Sequence, residues 1–139
     1  MLSLVKLEKK HIQNIDTDFV FRKCYRDEIC EQSVNGYAAV IKDEPVALGG
    51  IHPLWSGVAE GYIIVGKAAN EYPIKVAKTT KLLIKKIVKD NNLSRLQASI
   101  CINDKKALRF VQWLKFTEEG IMRKFGPDGS DYMRYAWVK

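Results

Sequence analysis

A chain of 139 residues, 47% hydrophobic and 28% charged, has the size and balance of one compact globular domain. No apolar run approaches the ~20 residues that cross a bilayer, and the start, MLSLVKLEKKH, lacks the apolar stretch and small-residue cleavage site of a secretory leader, so a cytoplasmic setting is expected. A net charge of +7 favours anionic partners such as nucleotide phosphates or nucleic acid, while Cys24, Cys30 and Cys101, with no CxxC or Cys/His spacing, read as buried free thiols and suggest no metal site.

Residues 2–7 alternate apolar and polar and predict a half-buried strand. From Lys9 to about Gln32 the pattern suits one or two short helices, with Asp16-Thr17-Asp18 as an N-cap for the second. Residues 36–41 and 46–51 flank the turn Lys42-Asp43-Glu44-Pro45 and predict a hairpin, and Gly49-Gly50 inside it predicts a bulge or a close backbone approach. Residues 52–57 (HPLWSG) read as a loop, and 58–66 as a third strand. Residues 73–90 carry the clearest helix signal: Pro73 suits a first turn, Val76, Leu83, Ile84 and Ile87 share one face, and Lys78, Lys81, Lys85 and Lys89 line the other. Asn91-Asn92 ends that helix. A strand over 93–102, a helix from Asp104 to Lys115 and a hairpin of 116–125 with 131–139 around Gly126-Pro127-Asp128-Gly129 complete the chain. The order is β-α-α-β-β-β-α-β-α-β-β, which gives an α/β domain with a mixed, mostly antiparallel sheet and helices on its faces.

That order, with PVALGGIHPLWSGVAEGYIIVG, the Pro near the start of the long helix, KKALRFVQWLKF and FGPDGSDYMRY, resembles the GNAT acetyltransferase family over about residues 37–135. Within it the chain resembles small phage- and prophage-encoded GNAT-like proteins, a group that includes an internal virion protein of short-tailed bacteriophages. The resemblance implies a single domain over residues 1–139 with splayed central strands, and acetyl-CoA as the acyl donor. It implies that the pantetheine arm pairs with the strand holding Ile63, Ile64 and Val65, and that the pyrophosphate faces the start of the long helix near Lys67 and Lys75. The sequence departs from the family in several places. The loop 66–78 has no glycine after Gly66, the family's helix-start Asn aligns with Asp104 beside Asn103, its Tyr with Val111 and its Gly with Lys115.

Acetyl transfer to an amine needs a base for the amine proton and a donor for the leaving thiolate. Glu60, at the start of the splayed strand, is the candidate base, and Tyr132 or Tyr135 the candidate donor. His52 could act through water, and Ser56 has no supporting Asp for a nucleophilic triad. Trp55, Trp113 and Trp137 are spread along the chain rather than clustered, which argues against a single-strand nucleic-acid platform. The expected function is an acetyl-CoA-dependent N-acetyltransferase acting on an amine. The alternative is a non-catalytic phage protein of the same fold, in virion assembly or as an interaction module. Met133, Tyr135 and Trp137, alternating along the last strand, suggest a homodimer face.

Overall fold

Period-two alternation brings the strands into one sheet in which every neighbouring pair but one is antiparallel. The structure, a computed structural model, describes residues 1–17 and 34–139. Strands β1 (Leu2–Lys6), β2 (Val34–Ile41), β3 (Glu44–Trp55), β4 (Val58–Val65), β5 (Arg95–Cys101), β6 (Thr117–Met122) and β7 (Tyr132–Val138) lie in the order β1-β2-β3-β4-β5-β7-β6. Helices α1 (Lys9–Asn14), α2 (Pro73–Asp90) and α3 (Lys105–Trp113) connect them, with a 3-10 turn over Lys67–Glu71. The second helix expected before residue 32, along with Cys24 and Cys30, lies outside the described residues.

The exceptional pair is β4 with β5. They run parallel through Val58↔Arg95, Ala59↔Leu96 and Glu60↔Gln97, and then part. Past that point β4 pairs on its outer side with β3, and β5 with β7. This is the splayed gap that the family resemblance implies.

Each sheet face has its own core. On one face, Ile12 and Ile15 after α1 pack with Ala38, Val40, Leu48 and Ile64. On the other, Ile87 of α2 packs with Ile51, Ala59, Leu93 and Leu96, and Val76 with Val46 and Ala69. Helix α3 lies beside α2, where Lys81 Nζ stands 5.3 Å from the centre of the Trp113 ring.

Both helices on this second face end in the same way. After α2, Asn92 takes φ +49 and donates to the Lys89 carbonyl at 3.2 Å, and Leu93 donates to Val88 at 3.0 Å. After α3, Lys115 takes φ +70 and donates to Gln112 at 2.9 Å, and Phe116 donates to Val111 at 3.3 Å. Both are Schellman motifs, with Leu93 and Phe116 anchored in the core beyond them.

Three readings of the sequence change. Residues 52–55 are not loop: β3 runs on to Trp55 and pairs His52 with Glu60 and Pro53 with Ala59. Pro53 suggested a break, but it occupies a register position whose N–H side faces away from β4, so this ladder loses no bond. At Gly49-Gly50 the bulge is on the partner strand, between Val34 and Tyr37 of β2. Gly50 itself provides the close approach, since a Cβ there would meet Gly36 Cα and the Tyr62 hydroxyl at 2.9 Å. Finally, the Met133–Tyr135–Trp137 stripe is used in part within the fold: Tyr135 is buried and Trp137 packs against the Leu96 cluster, while Met133 and Trp137 stay half-buried.

Candidate functional site

The closed end of the gap carries a polar cluster on the α1 face of the sheet. Strand β5 puts Arg95, Gln97, Ser99 and Cys101 on this face and Leu96, Ala98 and Ile100 on the other. Glu60, the last β4 residue paired with β5, projects among them. Its Oε1 accepts from Gln97 Nε2 and its Oε2 from Ser99 Oγ, both at 3.1 Å. Its side chain stays 29% exposed, so the carboxylate is fixed in orientation yet reachable. Arg134 of β7, opposite Ser99 in register, lies 3.7 Å from Glu60 Oε1. Arg95 is held firmly by two hydrogen bonds to the Glu119 carboxylate, and its Nε donates to Gln97 Oε1 at 3.0 Å. That contact holds the Glu119 carboxyl below its ordinary pKa. Across β3, His52 stacks on Tyr62 with ring centres 5.0 Å apart.

Glu60 therefore sits where the sequence places it, and the structure adds Gln97, Ser99 and Arg134. The alternation in LSRLQASICI carried the signal for Gln97 and Ser99, because every second residue of β5 is polar on the Glu60 side, whereas Arg134 comes from β7. Tyr132 shares this face but pairs with Cys101, four residues beyond Gln97, which is about 13 Å along the strand. It is buried, with its ring centre 5.3 Å from that of Phe125.

The residues of the expected donor site divide. Gly66 N–H bonds the Val46 carbonyl at 2.8 Å, and antiparallel alternation then turns the Ile64 peptide toward β3 and those of Ile63 and Val65 toward the gap. Ile63 thus presents an edge that no strand reaches among the described residues, which suits an extended amide-bearing arm such as pantetheine. Further along, the chain covers its own edge. Thr17 Oγ1 donates to the Val65 carbonyl at 2.7 Å, and Lys67 N–H donates to the Asp16 carbonyl at 2.7 Å. At the start of α2, Tyr72 N–H is engaged by Ala69 at 2.9 Å and Pro73 has none to offer, leaving Ile74 and Lys75 to face an anion. Lys75 is exposed, its Nζ 5.9 Å from the centre of the Tyr72 ring. Asp104 caps α3, its Oδ1 accepting from Ala107 N–H at 3.0 Å, and Asn103 beside it is exposed. Val111 is buried. The open Ile63 edge suits an extended amide-bearing arm, and the start of α2 offers lysine charge with few free amides.

Among the described residues no three His, Cys, Asp or Glu side chains gather as a metal cluster would, and no helix is long and apolar enough to cross a membrane. A cleft of 220 Å³ between the β3–β4 turn and the end of α2 lies apart from Glu60 and has no ionisable lining.

Comparison with solved structures gives the fold. An acetyltransferase of the GNAT family from Bacillus anthracis is similar at TM-score 0.75 and 15% identity, covering 99% of this chain and 94% of that one. The ribosomal-protein-S18-alanine N-acetyltransferase from Escherichia coli is similar at TM-score 0.74 and 17% identity, covering 99% and 94%. A spermidine N-acetyltransferase variant from Vibrio cholerae is similar at TM-score 0.71 and 15% identity, covering 99% and 93%. No protein-family model and no curated protein sequence matches the chain.

Proposed function

We propose that this chain, which has the GNAT acetyltransferase fold, is an N-acyltransferase that uses acetyl-CoA as its donor. One observation carries the reading: the strands part directly after Glu60, and its carboxylate stands at the closed end of the gap, held by Gln97 and Ser99. The donor would lie along the Ile63 edge, its phosphates near Lys67 and Lys75, and would supply an activated acyl group. Glu60 takes the proton from the acceptor nitrogen as the new N–C bond forms and the C–S bond breaks. Gln97 and Ser99 keep the carboxylate aimed. Val111 is apolar and Tyr132 lies buried at the far end of β5, so water delivers the proton to the thiolate. Positioned general-acid help is worth roughly 10²–10⁴-fold, so turnover is expected to be slow. The phage or prophage setting rests on the sequence resemblance.

Calorimetry with acetyl-CoA, followed by thiol release with an amine panel, tests the reading. Glu60→Gln should abolish thiol release while leaving the melting transition in place. Full activity in that variant would move the base elsewhere. The coverage of Val65 and Lys67 by Thr17 and Asp16 favours a second reading, a non-catalytic interaction protein of the same fold. Absence of heat at millimolar acetyl-CoA would select it.

A further inference from the structure

We infer that Arg134 is a recognition residue for an anionic group on the acceptor, so that the substrate is a small amino carboxylate rather than a simple amine or polyamine. The inference rests on the transferase reading above. The two arginines on the Glu60 face differ in how they are satisfied. Arg95 forks onto Glu119 and uses its Nε on Gln97. Arg134, one strand away, finds little. Its nearest carboxylate oxygen, Glu60 Oε1, is 3.7 Å away, beyond hydrogen-bond range. One terminal nitrogen reaches the Met122 thioether at 3.3 Å, a weak acceptor. Its Nε is buried with no hydrogen-bond partner among the described residues.

Glu60 faces Arg134 as an ion pair without a hydrogen bond, its two oxygens turned to Gln97 and Ser99 and keeping lone pairs for a substrate amine. The guanidinium is therefore held at the site by the sheet, 21% exposed, with donor capacity unused. Guanidinium groups bind carboxylates through paired, charge-assisted hydrogen bonds. Glu60 and Arg134, 3.7 Å apart, are close enough for the amine and carboxylate of one α-amino acid to reach both. The amine meets Glu60 while the carboxylate meets Arg134. A polyamine would instead bring a second positive charge against the guanidinium.

The test compares amino acids with their amides as acceptors in the wild-type protein with acetyl-CoA, following thiol release and the acetylated product by mass. The acids should exceed the amides in kcat/KM by roughly tenfold to a hundredfold, the range for hydrogen bonds to charged groups. Arg134→Met should bring that ratio to near one, mainly through KM for the acids, and Arg134→Lys should restore part of it. The ratio cancels any effect of the substitution on Glu60 common to both substrates, and melting curves report folding. Equal turnover of acids and amides, or of spermidine above both, overturns this inference and leaves the transferase reading standing. A ratio that survives Arg134→Met overturns it as well. Acetyl-CoA binding with no turnover of any amine overturns both.

Discussion

Lys115 shows how a departure in sequence can preserve a conformation. The sequence resemblance sets this position against a family glycine, and the chain takes φ +70 there to close the Schellman motif after α3. A β-carbon in the left-handed region costs roughly 1–2 kcal/mol. Lys115→Gly should therefore stabilise the protein by about 1 kcal/mol, read as a rise in the urea midpoint at constant slope. The neighbouring departure has a different cause. Val111 is 4% exposed, so position 111 belongs to the core rather than to an open cleft. Val111→Tyr should cost about 1–3 kcal/mol by overpacking, and a melting curve reads the loss. Both positions could be found in the sequence by alignment. What each would do depended on burial and backbone angle, which the residue names do not contain.

At the level of elements, legibility followed periodicity. Helix α2 could be read because it presents one apolar face over a full run of residues, and strands β4 and β7 because each is an apolar run bounded by turn residues. The 3-10 turn at Lys67–Glu71 left no such trace, being too short for a period. The end of β3 was hidden by Pro53, whose tolerance depends on which way its missing N–H would have pointed. The Glu60 site was half legible: a carboxylate beside a splayed strand suggests itself, whereas Arg134 matters through the partners it lacks. Short α1 carries a pH dependence of its own. His11 is buried, its Nδ1 accepts Glu8 N–H at 3.0 Å, and burial pushes the imidazole below its ordinary pKa. The unfolded chain thus takes up the proton first. The stability this gives is full above the ordinary histidine range and is lost as the pH falls through it. Urea midpoints at pH 7.5 and 5.5 should differ for wild type, and the difference should shrink in His11→Gln.

For the whole molecule, the parting of β4 from β5 sets how its two sides hold together. Strands β1–β4 form one antiparallel group and β5, β7 and β6 another, joined by the pairs from Val58↔Arg95 to Glu60↔Gln97. Apolar packing does the rest, with Ile51 and Ala59 from one group meeting Leu96 and Trp137 from the other over Ile87. At Gly61 a β-carbon would come within 3.3 Å of Leu96 Cδ1, so the two groups touch closely there. Leu96→Ala should cost about 2–5 kcal/mol, and its denaturation curve should broaden as the groups begin to unfold apart.

That join also sets an order of assembly. The β1–β4 group includes hairpins between sequence neighbours, whereas the β4–β5 pairs join residues separated by the whole of α2. Contacts distant in sequence close a long loop before they gain anything from it. Pulse-labelled refolding should therefore protect the amides of the β2–β3 hairpin before those shared by β4 and β5. The seam where the sheet parts is then closed later in folding than the hairpin beside it.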